Sequence, residues 1–140
     1  MQESDALVDA LAQTSFATTT ALTALAAEFE LTLPQMRVLG VLRGRRVRMS
    51  DLASYLDLEK SSLSGLVERA ERTGLVARER SATDARSVEV FLTAQGNKVA
   101  DRATKRSRDL VIPLVGNLSK TEQNQLQALL EKALDARRSI

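Results

Sequence analysis

The sequence contains no cysteine and no histidine among its 140 residues. Without cysteine, the chain has neither a disulfide framework nor a thiol redox switch. Without histidine, it lacks the commonest zinc ligand and the usual general base of enzymes. No Gly-rich phosphate loop and no cluster of metal ligands offsets these absences. An enzyme is therefore the least supported class of function, and we expect no cofactor.

Long apolar runs are also missing. No segment approaches the length of a transmembrane helix, and the first ten residues, MQESDALVDA, are acidic, unlike a secretion signal. We therefore expect no membrane partner and a cytoplasmic location. A chain of 140 residues has the length of one domain with a core of its own.

Positive charge is absent from the first quarter of the chain. Residues 1–36 carry five acidic side chains and no lysine or arginine, whereas residues 37–108 carry 16 basic and nine acidic side chains. The overall net charge of +2 therefore hides a central region with a net charge of +7. Such a region is the electrostatic footprint of phosphate binding. The alternative is that the surface helices are Arg-rich without a ligand.

The central segment, residues 50–93, has the pattern of two helices followed by a hairpin. Apolar residues at helical spacing mark the buried faces of the two helices: Leu52, Ala53 and Leu56, then Leu63, Leu66, Val67 and Ala70. Asp57-Leu58 forms the turn, and Gly74 ends the second helix. Alternating residues predict strands at 76–80 and 86–92, with a tip at 81–85. This order predicts a winged helix-turn-helix, mainly α with a small β-wing (α+β), which suits the major groove of DNA.

Helical spacing predicts further helices on both sides of this segment. A long first helix covers residues 4–29. Another helix, from about residue 94 to 115, is capped by Thr93 and kinked or opened by Pro113. Residues 47–49 are expected to add a short third strand against the wing.

Capping signals mark the starts of three other helices. Two are capping boxes, and the third is a single cap on the first helix of the motif: Thr32 with Gln35, Ser119 with Glu122, and Ser50 or Asp51. We expect a buried stripe on the first capping-box helix, formed by Met36, Leu39, Gly40 and Leu42 or Val41. The second capping-box helix carries its apolar residues on one stripe: Leu126, Leu129, Leu130, Ala133 and Leu134. The aliphatic surface at both chain ends needs cover, from the rest of the domain or from a second copy.

Three stretches resemble the MarR family of bacterial transcriptional regulators: LTLPQMRVLGVL, SDLASYLDLEKSSLSGLVERAERTGLVARERSATDARSVEVFLTAQG and LSKTEQNQLQALLEKAL. The most specific element is Asp84-x-Arg86, followed by Leu92-Thr93-x-x-Gly96. The resemblance implies a homodimeric repressor that binds double-stranded DNA at a pseudo-palindromic operator. It also implies a small aromatic or phenolic effector in a cleft between the dimer helices and the DNA-binding lobe.

The resemblance also divides the chain. It implies a single MarR-type domain, residues 1–140, in which residues 31–92 form the winged helix-turn-helix lobe. Residues 1–30 and 93–140 then form the helical lobe, whose N- and C-terminal helices interlock in the dimer.

We assign base readout to Ser61, Ser62 and Ser64, because the N-terminal end of a recognition helix (here residues 60–73) points into the groove. Hydroxyls both donate and accept hydrogen bonds, so serines discriminate bases weakly. Helix capping is the alternative role for Ser61 and Ser62. Lys60 and Arg69 are assigned to phosphates.

In the wing, the resemblance implies that Arg86 enters the minor groove, where narrow A·T-rich stretches have enhanced negative potential. We expect Asp84 to hold the guanidinium of Arg86 in a fixed fork. The alternative is an ion pair that closes the hairpin and binds no ligand. Arg78 and Arg80 are secondary phosphate candidates.

Two departures from the family pattern lie in the recognition helix. Glu59 stands where a Ser, Thr or Asp cap is usual, and Gly65 in mid-helix costs about 1 kcal/mol relative to alanine. Gly65 either allows closer approach to DNA or only loosens the helix.

Two basic clusters each have two interpretations. The arginines of residues 43–46 contact phosphates or form a solvated loop. The basic residues between 102 and 108 contact DNA or pair with the acidic first helix of the same or the other subunit. We favour pairing, because the opposite charges are otherwise unexplained.

The rival function is a winged-helix module that binds proteins and never reads DNA. The Asp84-x-Arg86 tip and the local charge of +7 argue against it. A salt titration separates the two, because DNA binding weakens steeply with salt.

Overall fold

The computed structural model describes residues 2–135. This part of the chain contains six α-helices: α1 (Glu3–Glu28), α2 (Leu33–Leu42), α3 (Met49–Leu56), α4 (Lys60–Arg72), α5 (Ala94–Val111) and α6 (Lys120–Asp135). Three strands complete it: β1 (Val47–Arg48), β2 (Val76–Arg80) and β3 (Val88–Leu92). The predicted mainly helical fold with a small β-wing is confirmed.

Helices α3 and α4 form the predicted helix-turn-helix. Asp57 makes the turn in the left-handed conformation, with φ 55°. Gly74 follows α4 with φ 80°, a backbone angle that glycine adopts without strain, so its predicted role as the helix stop is confirmed.

The three strands form an antiparallel sheet in the order β1-β3-β2. Val76 lies opposite Leu92 and Arg80 opposite Val88, while Val47 lies opposite Val90. The predicted third strand is therefore present. β3 begins at Val88 rather than at residue 86, because the backbone N–H of Ser87 turns back to the carbonyl of Asp84.

The hydrophobic core lies between α2, α3, α4 and the inner face of the sheet. Its largest fully buried side chains come from all of these elements: Leu42, Leu52, Leu63, Val38, Val67 and Val90. On α2 the predicted core residues Leu39, Val41 and Leu42 are buried. Two predicted members of the stripe are wrong, since Gly40 is exposed and Met36 is half-buried, and Val38 completes the buried face. The side with Met36 and Gly40 faces open cavities next to α1.

Two predicted capping boxes are confirmed. The backbone N–H of Thr32 donates to Gln35 Oε1 over 2.8 Å, and that of Ser119 donates to Glu122 Oε1 over 2.9 Å. The predicted cap of α3 at Ser50 or Asp51 is wrong. β1 runs straight into α3, so the N-cap position falls on Arg48, which makes no side-chain capping bond.

The start of α5 is fixed to the base of the wing. Thr93 caps the helix by accepting from the Gly96 N–H over 3.0 Å, and its hydroxyl donates to the Gly74 carbonyl over 2.6 Å. A Cβ at Gly96 would lie 1.9 Å from the carbonyl oxygen of Leu75. Only glycine therefore permits this close packing of α5 on the chain between α4 and β2.

The later part of α5 contacts the end of α1. The guanidinium of Arg106 donates to both carboxylate oxygens of Glu28, at 2.9 and 3.0 Å, and Arg102 lies over the ring of Phe29. The favoured pairing of the basic residues of α5 with the acidic first helix is therefore confirmed for Arg106, within the same chain. α5 ends before Pro113, where the chain continues as a 3₁₀ turn over Ile112–Val115, as the proline predicted.

The two terminal helices leave apolar side chains uncovered. Among the described residues, α6 buries no side chain, and Leu129 is 65% exposed. On α1, Leu7 and Phe16 are 63% and 67% exposed. Within residues 2–135, every helix is too short or too polar to cross a bilayer.

Candidate nucleic-acid interface

A groove lies between the first turn of α4 and the wing, with a volume of about 340 Å³. Basic and hydroxyl side chains make up most of its wall: Arg48, Lys60, Arg78 and Arg86, with Ser50, Ser64 and Ser87. The other lining residues are Met49, Leu63 and Val88, so no lining side chain is acidic. The groove therefore presents converging positive charge and hydrogen-bond donors, which suit phosphate oxygens.

Each of the four cations comes from a different element. Arg48 ends β1, Lys60 begins α4, Arg78 lies in the middle of β2, and Arg86 lies between the strands of the wing. Arg78 is held in place by Glu71 of α4, with 2.7 Å between its Nη2 and the carboxylate oxygen. This ion pair ties the wing to the recognition helix and partly neutralises Arg78.

The serines of α4 are available for contacts. Ser61 and Ser62 are exposed, and Ser64 is half-buried in the groove wall. Within residues 2–135 none of the three hydroxyls forms a hydrogen bond, and the N-cap residue Glu59 makes no side-chain capping bond. Ser61 and Ser62 therefore do not cap α4 in the structure, and the alternative role is wrong.

The wing tip corrects the expected role of Asp84. Its Oδ1 accepts from the backbone N–H of Arg86 over 3.0 Å, and its Oδ2 accepts from the Ser87 hydroxyl over 3.2 Å. Neither the expected fork nor the alternative ion pair with the guanidinium forms. A short carboxylate reaches the backbone two residues ahead more readily than the end of a long side chain. Asp84 thus shapes the turn, and Arg86 lines the groove without an ion pair to Asp84.

The other assigned arginines are spread more widely. Arg80 donates to the Ala85 carbonyl over 3.0 Å, which braces the wing tip. Arg69 is exposed on α4 beyond the groove wall. The structure thus brings together Lys60, Ser64, Arg78 and Arg86, and leaves Arg69 outside that cluster.

The arginines of the α2–β1 loop have partners within the chain. Arg43 pairs with Asp101 of α5 over 3.3 Å, and Arg45 Nε donates to the Val41 carbonyl over 2.7 Å. Arg46 binds Glu79, which raises the pKa of its guanidinium above the ordinary value. These contacts differ from both expected roles, since the side chains are neither directed to a phosphate groove nor simply solvated.

Sequence reasoning missed Arg48, Ser50 and Ser87 in the groove wall. No signal in the sequence pointed to Arg48. Val47 is buried and Arg48 lies opposite Glu89, so strand alternation alone would assign Arg48 to the outer face and not to the groove.

Apolar cavities lie beside α2, away from the groove. One, of about 160 Å³, is lined mainly by aliphatic residues of α1, α2 and α5. Another, of about 490 Å³, combines Leu22, Met36 and Leu33 with the polar side chains of Arg37 and Tyr55. The described residues include no group of three or more acidic or other metal-ligating side chains that could hold a metal ion.

Comparisons with known proteins agree with this architecture. A sequence profile described as the MarR family matches residues 29–87. The HTH-type transcriptional regulator MgrA of Staphylococcus aureus is 30% identical over 110 residues, which cover 78% of this chain and 74% of MgrA. The chain spans only 59% and 56% of the length of two other curated relatives, each 33% identical to it.

Solved structures align over most of the chain. A mutant MarR from E. coli complexed with operator DNA has a TM-score of 0.76 and 25% identity, covering 91% of this chain and 93% of that chain. NadR in complex with 4-hydroxyphenylacetate has a TM-score of 0.76 and 26% identity, covering 89% of each chain. On the evidence of these similarities, together with the helix-turn-helix and the wing, the chain belongs to the MarR family.

Proposed function

We propose that this chain is a sequence-specific transcriptional regulator that binds double-stranded DNA as a homodimer. The groove between α4 and the wing carries this proposal, because four cations from separate parts of the chain converge there without an acidic side chain in its wall. Arg78 is partly neutralised by Glu71, but the excess positive charge of the groove still favours an anionic ligand. The phosphate backbone of DNA is the anion that this shape fits.

In the proposed complex, the first turn of α4 enters the major groove. Ser61, Ser62 and Ser64 lie near base edges, while Lys60 and Arg78 contact phosphates. Arg86 extends from the wing into the adjacent minor groove. The structural similarity to an operator-bound MarR supports this docking.

Arg48 and Arg69 extend the proposed phosphate contacts to either side. Arg48 lies in the groove wall, whereas Arg69 lies further along α4 and would meet the backbone beyond the reading turn. Asp84 contributes indirectly by shaping the wing tip.

The dimer is proposed from the uncovered apolar faces of α1 and α6. Leu7 and Leu129 are both more than half exposed in one protomer. Exposure of apolar side chains to water is unfavourable, and packing against a second copy would remove it. Residues 1–30 and 93–140 would form the dimerisation lobe. Two copies of α4 would then reach successive major grooves about 34 Å apart, which predicts a pseudo-palindromic operator.

A small aromatic or phenolic effector is proposed for the cavities beside α2. Leu22 and Met36 give the larger cavity an apolar lining, and Arg37 and Tyr55 add a cation and a phenol, a combination that suits a carboxylate on a ring. NadR, which binds 4-hydroxyphenylacetate, supports this class. The effector would favour a spacing of the two α4 helices that no longer fits the operator, and so release a repressor.

The activity is proposed to be binding alone, without catalysis. The regulators that the chain resembles act on DNA, so we place this protein in the bacterial cytoplasm with the chromosome.

The test is binding of the purified full-length protein to labelled promoter fragments from its own genome, with base-shuffled fragments as the matched control. We expect a subset of promoter fragments to bind more tightly than their shuffled versions. The affinity should fall with salt with a slope of roughly −0.9 per phosphate contact in a logarithmic plot. A folded dimer that ignores every fragment at low salt would favour the protein-binding module instead.

A further inference from the structure

Two glutamates face each other on the outer surface of the wing. Glu79 of β2 and Glu89 of β3 are direct partners in the antiparallel register. Directly opposite residues have Cβ atoms only about 5 Å apart, and like charges at such positions destabilise a strand pair. This wing therefore carries a built-in repulsion within a hairpin of five-residue strands.

Arg46 counters that repulsion from outside the hairpin. Its guanidinium binds the carboxylate of Glu79 and lies 3.4 Å from that of Glu89. The same guanidinium lies over the ring of Phe91, 4.2 Å from the ring centroid. One side chain of the α2–β1 loop thus contacts both strands of the wing.

The contact lies on the face of the hairpin opposite to the groove. Alternate residues of a strand point to opposite faces, so Glu79 points away from its neighbour Arg78, which lines the groove. Arg46 is absent from the groove wall. Its influence on the groove therefore passes through the strands that carry Arg78 and lead to Arg86.

We propose that Arg46 is a positioning residue for DNA binding, which joins the two strands of the wing and fixes them to the α2–β1 loop. The proposal rests on the function proposed above only for its effect on DNA. Its effect on the wing itself can be measured in the free protein.

The experiment compares Arg46→Met with the charge-matched control Lys98→Met, which removes one exposed positive charge from α5. Methionine keeps an apolar stem over Phe91 and removes the charge. Both variants are also made in a Glu79→Gln/Glu89→Gln background. The readouts are hydrogen exchange of the wing amides in the free full-length protein, promoter affinity, and the salt dependence of that affinity.

We expect Arg46→Met to speed exchange at the Ser81 N–H, which is bonded to the Ser87 carbonyl, and to weaken promoter binding roughly fivefold, in line with the cost of an uncompensated like-charge pair. The salt slope should stay unchanged, and in the double-glutamine background both effects should fall to less than about twofold. Lys98→Met should leave wing exchange as in the wild type.

Two results would overturn the proposal. One is wing exchange that does not respond to Arg46→Met. The other is a loss of affinity that persists in the double-glutamine background and lowers the salt slope by about one, which is the signature of a direct phosphate contact. If the wild type binds no promoter fragment, the proposed function fails while the exchange data still decide the role of Arg46.

Discussion

The carboxylate of Asp84 accepts a hydrogen bond from the backbone N–H of Arg86 over 3.0 Å. The acid and the arginine of the wing are therefore linked through the main chain, and the arginine side chain is left to reach elsewhere. A side chain that accepts a hydrogen bond from a backbone N–H needs an oxygen atom, but it does not need a negative charge.

This relationship predicts different outcomes for two substitutions of Asp84. Asp84→Asn keeps an acceptor oxygen and should bind the promoter fragment nearly as the wild type does. Asp84→Ala removes the turn-forming hydrogen bonds, worth about 1 kcal/mol, and should weaken binding roughly fivefold. Fluorescence anisotropy with a labelled fragment measures both. Equal losses in the two variants would mean that the charge of Asp84 is what matters.

Arg86→Ala should weaken promoter binding by roughly 1–3 kcal/mol, because it removes the guanidinium proposed to enter the minor groove. Gel-shift titration measures the loss, and sedimentation checks that the oligomeric state is unchanged. Lys98→Ala, which removes an exposed charge from α5, is the control for a general loss of positive charge. The wing assignment fails if Arg86→Ala binds as tightly as that control.

Gly65→Ala should stabilise the protein. A Cβ at this position meets nothing within 4 Å outside its own helical surroundings, so the helix gains about 0.5–1 kcal/mol from alanine without a clash. Denaturant unfolding measures the change. A lower stability would mean that the added methyl group clashes with a neighbouring atom. If promoter affinity falls in the stabilised variant, the glycine serves close approach to DNA.

Leu129→Glu should dissociate the proposed dimer. Leu129 is 65% exposed in one protomer, so a charge there costs the single chain little, but it would be buried in an interface formed by α6. Sedimentation velocity at matched concentrations measures the oligomeric state, with Asn124→Glu, away from the Leu129 face of the same helix, as the control. A Leu129→Glu variant that sediments as the wild type does would exclude this face from the interface.

The free energy of unfolding should fall in acid because two glutamates become protonated. The Ser119 N–H lowers the pKa of Glu122 below its ordinary value of 4.5, and the hydrogen bond from Arg106 lowers that of Glu28. A lowered pKa means that the folded protein holds the carboxylate more favourably than the unfolded chain does. This stabilisation is complete above the ordinary pKa and is lost as the pH falls through the folded value.

Denaturant unfolding of the wild type and of Glu122→Gln between about pH 6 and pH 3 tests this sign. We expect the wild type to lose its advantage over the variant progressively below pH 4.5, the ordinary value for glutamate. An advantage that does not change with pH would show that the carboxylate charge contributes nothing.

The helix starts that depend on local bonds were predictable from sequence. Thr32, Thr93 and Ser119 each satisfy backbone groups within three residues, so the nearby sequence contains the whole interaction. The start of α3 was not predictable in this way. It is set by the pairing of β1 with β3, which lies about forty residues further along the chain.

The buried face of α2 was predicted only in part, for a different reason: Met36 and Gly40 were assigned to the core and Val38 was not. Met36 and Val38 are both apolar but point to different sides of the helix, so periodicity alone does not choose between the faces. The choice comes from what packs on each side, with the core on one and open cavities on the other.

The sequence indicated which residues line the candidate site better than it indicated the contacts that those residues make. Lys60, Ser64, Arg78 and Arg86 do converge. The partners of Arg46 and Arg78 come from long-range folding and from competition among several nearby acids, which a sequence pattern does not rank.

The contact between Gly96 and Leu75 has a mechanical consequence. No side chain separates the start of α5 from the base of the wing, so a shift of one is expected to carry the other with it. In the proposed homodimer, a few degrees of tilt in α5 would then change the spacing of the two hairpins.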